Sequence, residues 1–187
     1  MYKYNKTLSY PVNVKKKDLK MAKLIITQLG GYAGEMGAAL RYFCHQFSMP
    51  DQRGKILMNS IAAEELGHIE MIGTIIHQLT KDATIEEIKE YDLDCLYTEH
   101  GKGIYPSDSF GNPFTASYIA STGDYLTDIS EDMAAEMKAK SVYEHLIDLT
   151  DDESLIKPLL FLRQREIVHF NRFKELFDYY KNKKYQN

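Results

Sequence analysis

The 187-residue chain has no tryptophan, only two cysteines and only five prolines. Cys44 and Cys95 stand far apart with no C-x-x-C spacing, so neither a disulfide framework nor a zinc ribbon is expected, and both read as free thiols. No apolar run approaches the roughly 18 residues of a membrane span, and residues 1–17 lack the apolar core of a secretory signal peptide. The protein is therefore expected to be made in the cytoplasm and to have no membrane partner. Positive charge is also in short supply: 23 Lys and Arg against 27 Asp and Glu leave a net charge of −4. That balance argues against a nucleic-acid partner, whose phosphates demand a clustered cationic surface. The exception is the first 23 residues, where Lys3, Lys6, Lys15, Lys16, Lys17, Lys20 and Lys23 face a single Asp18. Residues 1–17 read as a basic arm, solvated or protein-binding, ahead of a single domain over residues 18–187.

What is present is an ordinary globular composition, 44% hydrophobic and 27% charged. A chain of this length buries about 70% of its unfolded surface, so it needs no metal merely to fold, and any metal site would exist for chemistry. Four long segments read as amphipathic helices and almost nothing reads as strand: about 18–47, 51–79, 124–149 and a fourth starting at Thr150-Asp-Asp-Glu153, a capping-box pattern. On the second helix Ile61, Glu65, His68, Ile72, Ile75 and Leu79 recur at steps of three and four, which is one helical face. On the fourth, Leu159, Leu162, Glu166, His169, Phe173 and Leu176 do the same. Short links make two antiparallel hairpins. Residues 81–123, with one short helix at 85–91, form a long crossover of the kind that serves as a lid, a binding segment or an oligomer contact. The expected fold is all-α, a ferritin-like four-helix bundle with one long crossover between helices two and three.

Both well-patterned helices carry a Glu and a His, three residues apart, where the stripe ought to be apolar. Burying an unpaired carboxylate costs several kcal/mol against a net stability of about 5–15 kcal/mol, so positive charge must stand beside them. Glu35 lies 30 residues before Glu65, and Glu136 lies 30 residues before Glu166. Each hairpin thus reads Glu, then Glu-x-x-His, the ligand set of carboxylate-bridged di-iron and di-manganese bundles. Glu35, Glu65, Glu136 and Glu166 together cancel two divalent cations, and His68 and His169 add one neutral nitrogen to each. Hard oxygen ligands with a minority of imidazole suit manganese or iron, and the residues alone do not choose between them. Tyr42, two turns beyond Glu35 on the same face, is placed either to orient a ligand carboxylate or to fill the core. Glu64, Glu70 and Glu144 fall off the metal stripe and read as solvated or salt-bridged. His45, His77, His100 and His145 lack a Glu three residues before them and read as surface or capping residues. Gly30, Gly31, Gly34 and Gly37 each cost roughly 1 kcal/mol inside a helix, so the cluster around Glu35 serves close packing or substrate access. No strand precedes it, which excludes a dinucleotide loop.

Across nearly its whole length the sequence resembles the manganese catalase family, in the short spore-coat (CotJC-type) form. The resemblance rests on Gly30-Gly-Tyr-Ala-Gly-Glu-Met36, Ala63-Glu-Glu-Leu-Gly-His-Ile-Glu70, Pro113-Phe-Thr-Ala116, Ala134-Ala-Glu136 and Arg165-Glu-Ile-Val-His169. It implies that Glu35, Glu65, His68, Glu136 and His169 ligate two manganese ions, with Glu65 bridging. It also moves Glu166 from direct ligand to a catalytic base or outer-sphere group. The implied reaction is disproportionation of hydrogen peroxide to water and dioxygen, the metal pair alternating between Mn(II)2 and Mn(III)2. The longer relatives are hexamers, so a homo-oligomer, with a hexamer as the precedent, and assembly with other spore-coat proteins are the implied partners and place. Two departures bear on turnover: the chain lacks the C-terminal extension of the longer enzymes, and Ala135 stands where those can carry an arginine. The alternatives are a structural spore-coat protein with a metal-stabilised bundle and little activity, or a ferritin-like iron oxidase. Rubrerythrin-like electron transfer is disfavoured by the missing Cys-x-x-Cys pair.

Overall fold

In the computed structural model, residues 7–184 are described. Residues 1–6, with Lys3 and Lys6 of the basic arm, and residues 185–187 lie outside that range. The elements are α1 (Leu19–Ile25), α2 (Thr27–Gly30), α3 (Glu35–His45), α4 (Gln52–Leu79), α5 (Ile85–Glu90), α6 (Asp94–His100), α7 (Tyr125–Asp148) and α8 (Glu153–Lys184). Among the described residues there is no strand beyond an isolated antiparallel bridge between Ser107 and Pro113, and no helix is long and apolar enough to cross a membrane. The four positions of the bundle are filled by α3 with its α1 and α2 lead-in, α4, α7 and α8. The cross-bundle neighbours run antiparallel: Tyr143 meets Glu35 while His45 meets Asp132, and Tyr180 meets Gly54 while Arg165 meets Glu64.

The first helix differs from the single span expected over residues 18–47, and glycine is the reason. A Cβ on Gly30 would stand 2.4 Å from the backbone of Pro106 and Ser107, and one on Gly34 would stand 2.8 Å from the Thr27 carbonyl oxygen. Gly34 is extended (φ −91°, ψ 165°) and serves as the N-cap of α3. The chain therefore turns between α2 and α3 and delivers Glu35 as the first residue of a new helix. At α8 the cap is Asp152, two residues later than the Thr150 of the expected capping box. Its carboxylate accepts from the Ser154 N–H at 2.8 Å and the Ser154 hydroxyl at 2.7 Å.

Core packing follows the stripes. Ile61, Ile72, Ile75 and Leu79 of α4 and Leu159, Leu162, Phe173 and Leu176 of α8 are all buried. They separate into two apolar clusters. One holds Met71, Ile72, Ile75, Leu79, Tyr143, Leu146, Leu155, Leu159 and Leu162 with α1; the other holds Tyr42, Met58, Ile61, Ile129, Phe173, Leu176 and Tyr180. Between them runs a polar layer through the middle of the bundle, where Glu35, Glu65, His68, Glu136, Glu166 and His169 lie.

The crossover carries the expected short helix, with a capping box between Thr84 and Glu87, and a second one, α6, that the sequence pattern did not suggest. It is drawn onto the body by the cluster of Leu19, Ala83 and Ile88 and by the basic start of the chain. Lys17 pairs with Glu87 at 2.6 Å, and Lys23 donates to the Tyr91 carbonyl at 3.2 Å. Of the arm itself, Leu8, Tyr10, Val12 and Val14 pack on the first apolar cluster, while Thr7, Ser9, Pro11 and Asn13 between them are exposed. Tyr10 stacks on Phe161 with ring centres 5.0 Å apart, and the Val14 N–H donates to Gln78 at 2.7 Å. This period-two alternation is the signal of an extended segment laid on an apolar surface.

Gly30→Ala is expected to lower stability by about 1–3 kcal/mol, because the new methyl has backbone rather than a flexible side chain in its way. Gly73→Ala, where a Cβ meets nothing within 4 Å, is expected to raise it by up to about 1 kcal/mol. Urea unfolding of the two variants checks both signs.

Candidate metal centre

Four helices each bring part of the polar layer. Glu35 comes from the first turn of α3, Glu65 and His68 from α4, Glu136 from α7, and Glu166 and His169 from α8. All six are at most 2% exposed. The i, i+3 spacing of each Glu-x-x-His places both side chains on one helical face, and the antiparallel pairing of α4 with α8 turns the two faces toward each other. The His68 and His169 rings lie nearly parallel, with centres 5.7 Å apart.

The donor atoms fall into two groups that share one residue. Glu35, Glu65, His68 and Glu166 form one; Glu65, Glu136 and His169 form the other; within each, the ligand atoms lie within 4.8 Å of one another. Glu65 divides its oxygens between them: Oε2 is 2.6 Å from His68 Nδ1 and Oε1 is 2.8 Å from His169 Nδ1. His68 Nδ1 also stands 3.5 Å from Glu35, and His169 Nδ1 stands 3.7 Å from Glu136. These approaches are close, yet they lack hydrogen-bond angles. Both oxygens of Glu65 and of Glu136, Oε1 of Glu166 and both nitrogens of each imidazole are buried without a hydrogen-bond partner. The carboxylate oxygens and the two Nδ1 atoms converge without pairing, so they are aimed at a common third point, which is what a cation's ligands do. The residues present therefore fit a metal centre, with Glu65 common to both groups of donors.

Electrostatics point the same way. Burial pushes the Glu35 carboxyl up to about 7 against the pull of His68. Burial also raises Glu136, and together with Glu35, Glu136 and Glu65 it raises Glu166 well above the carboxylate range. Glu65 goes the other way: burial opposes its charge, but His68 and His169 prevail and hold it well below that range. Burial disfavours charge on the imidazoles too, yet Glu65 and Glu35 raise His68 to about 10, and Glu65, Glu136 and Glu64 raise His169 to about 12. Carboxyls that rise and imidazoles that rise together mean that the protein alone gathers protons where it needs positive charge.

Around this layer stands a second one, and the sequence pattern exposed only part of it. The Tyr42 hydroxyl is completely buried and faces Glu136, with Glu65 beyond it, and burial first of all keeps its proton on. Tyr143 was not singled out, although it follows Glu136 by the same seven residues that separate Tyr42 from Glu35. Its hydroxyl donates to Glu35 Oε1. Each tyrosine thus serves the glutamate of the opposite half. Glu64 makes the salt bridge expected of it, to Arg165 at 2.6 Å, but it also faces both imidazoles. Burial works against its charge, and His169 and Arg165 overcome that and hold it down to about 2. His45 departs from the surface role expected. It is fully buried, with Nδ1 2.8 Å from Asp132 and Nε2 2.5 Å from the Ala120 carbonyl. Buried Asp132 on α7 supplies the partner that the spacing around His45 could not show. His77, His100 and His145 are exposed, as are both cysteines.

Comparison with known proteins finds similarity over nearly the whole chain. The family profile "Manganese containing catalase" matches residues 1–186. The chain is 44% identical over 186 residues to Protein CotJC of Bacillus subtilis, covering 98% of this chain and 97% of that one. It is 33% identical to a probable manganese catalase of Clostridium acetobutylicum, covering 97% of this chain and 82% of the relative. Its structure superposes on that of wild-type KatB, a manganese catalase from Anabaena, with a TM-score of 0.88 and 34% identity, covering 97% of this chain and 81% of that chain.

Because His68 and His169 hold protons up to about 10 and about 12 in the metal-free protein, a cation must displace protons to reach either nitrogen. Metal binding near neutral pH is therefore expected to release protons, and affinity to rise with pH. Titration calorimetry with manganese(II) in two buffers of different ionisation enthalpy measures the number released; a value of zero would contradict the assignment.

Proposed function

As the chain belongs to the manganese-containing catalase family, we propose that it disproportionates hydrogen peroxide to water and dioxygen at a dinuclear manganese site in the middle of the bundle. One observation carries the reading. The two oxygens of buried Glu65 face two different imidazoles, each in its own group of unpaired carboxylate oxygens. Glu35, Glu65 and His68 would hold one ion, and Glu65, Glu136 and His169 the other. When bound, the manganese pair supplies two-electron redox chemistry, so that one peroxide is reduced to water and the next is oxidised to dioxygen.

The remaining work falls to the chain's own residues. Glu166 has Oε1 free of hydrogen-bond partners inside the layer, and burial raises its affinity for a proton. Once cations have displaced that proton, the carboxylate is a stronger base than an exposed glutamate. It is placed to accept a proton from peroxide and to return one to the departing oxygen. Tyr143 and Tyr42 keep their protons, because burial raises both well above the ordinary phenol. Tyr143 acts as a fixed donor to Glu35, while Tyr42 keeps its hydroxyl facing Glu136 without a hydrogen bond to it. Ile72 and Leu162 on one side and Ile61 and Phe173 on the other are fully buried, so the layer is walled by apolar side chains that disfavour bulky, charged reductants.

Full-length similarity to CotJC, and the resemblance of the motifs to the short spore-coat form, support a place in the spore coat. Self-assembly has its own support in α3. Between residues 31 and 50 the charged side chains, Glu35 and Arg41, are both buried, while Tyr32, Leu40, Phe43 and Phe47 are exposed by 40% or more. A solvent face so short of charge fits a subunit contact in a homo-oligomer.

Oxygen release from hydrogen peroxide by protein purified with manganese, together with elemental analysis, tests the proposal. Two manganese ions per chain with activity are expected, and Glu65→Ala and His68→Ala are expected to lose both. Two ions without oxygen release would favour the structural coat role, and iron uptake into a hollow shell would favour an iron oxidase. Glu166→Gln is expected to keep its metal and lose about 10²–10⁴-fold in turnover, the range of a removed acid–base group.

A further inference from the structure

The outer sides of the two imidazoles show an arrangement of their own. His68 and His169 both turn Nδ1 inward to Glu65. Their Nε2 atoms point the opposite way, buried and without a hydrogen-bond partner, and one carboxylate faces both. Glu64 Oε2 lies 3.2 Å from His169 Nε2, and Glu64 Oε1 lies 3.8 Å from His68 Nε2. The same Oε1 accepts from Arg165 Nε at 2.6 Å. Glu64 and Arg165 are each about a quarter exposed, so this ion pair stands between the imidazoles and solvent. Each immediately precedes the glutamate of a Glu-x-x-His. The antiparallel packing of α4 on α8 that brings the two histidines together brings these two residues together as well.

We propose that Glu64, anchored by Arg165, is a positioning residue that holds both imidazoles at once with a proton on Nε2 and Nδ1 free to face the metal centre. The proposal rests on the dinuclear reading above. A histidine ligates through the nitrogen that carries no proton, and the partner of the other nitrogen decides which one that is. Usually each ligating histidine has its own outer partner. Here a single carboxylate serves two, one from each half of the bundle, so its loss would disturb both ion positions together. Arg165 gives the carboxylate a fixed direction through its rigid guanidinium, which lysine cannot reproduce.

The test uses the full chain and two metals. Manganese(II) affinity is measured by chelator competition in the wild type and in Glu64→Ala, Glu64→Gln, Arg165→Gln and Arg165→Lys. The histidine tautomers are read by nitrogen-15 NMR of the zinc-loaded proteins. The wild type is expected to show both Nε2 atoms protonated. Glu64→Ala is expected to weaken both ion positions by about 10- to 100-fold, the usual range for a lost outer partner, with the Nε2 pattern lost at both histidines. Glu64→Gln, which keeps a carbonyl acceptor, is expected to recover part of the affinity, and Arg165→Lys less than a purely electrostatic contact would. Circular dichroism of the metal-free variants separates misfolding from mispositioning, and the Arg165 variants carry the test if Glu64→Ala fails to fold. Wild-type affinity and an unchanged tautomer pattern in folded Glu64→Ala would overturn the proposal and leave the dinuclear reading standing. A wild type that takes up no metal would instead remove that reading, and this proposal with it.

Discussion

Everything in this bundle is arranged around six ionisable side chains that the fold places where water cannot reach. Glu35, Glu65, Glu136 and Glu166, with His68 and His169, occupy a layer in which none is more than 2% exposed. Each unpaired buried charge costs several kcal/mol, and a domain has only about 5–15 kcal/mol of stability in total. The layer can persist because protons, or metal cations in their place, supply the missing positive charge. The apolar clusters on either side of it supply the burial energy that an entirely hydrophobic centre would otherwise have contributed. The bundle reads as a metal centre fitted with two hydrophobic ends.

That constraint explains why so much of the fold was legible beforehand. A Glu and a His on a stripe of Ile and Leu contradict the stripe, and only a bundle that brings two such stripes together resolves the contradiction. Helices two and four were set by their three-and-four periodicity, and the residues on them are buried as that periodicity requires. The hairpin offset of 30 residues joins Glu35 and Glu136 to the pair, and the structure brings all six into one layer. Periodicity is a statement about faces, and the face was enough.

Other features depend on contacts between segments far apart in the chain, and there the pattern was silent. At the break between α2 and α3, Pro106 and Ser107 come so close to Gly30 from the crossover that a side chain there would not fit. Nothing local distinguishes such a glycine from one tolerated inside a helix, as Gly73 is. His45 is buried because Asp132 and the Ala120 carbonyl meet it from α7 and from the end of the crossover. The arm was read by its lysines, although Leu8, Tyr10, Val12 and Val14 determine where it lies. Tyr143 is a different case. The repeat that revealed the glutamates also contains it, and extending the comparison of halves from six residues to eight would have found it.

The halves are related throughout by 101 residues, the separation of Glu35 from Glu136, Glu65 from Glu166, His68 from His169 and Tyr42 from Tyr143. Two departures from this symmetry lie beside the crossover. Arg41 donates to the Tyr118 carbonyl and His45 stands against the Ala120 carbonyl, whereas their counterparts Val142 and Leu146 pack in the apolar cluster. The reason is topological. A single crossover joins two equivalent hairpins, so it must run past one half and not the other, and its backbone carbonyls need donors where it passes. The inner layer, which the crossover does not touch, keeps matching residues in both halves. Just outside it, at Glu64 and Arg165, equivalent positions carry opposite charges and close on each other. Symmetry is thus retained in the buried layer, where matching carboxylates and imidazoles face one another, and given up where one chain has to connect the halves.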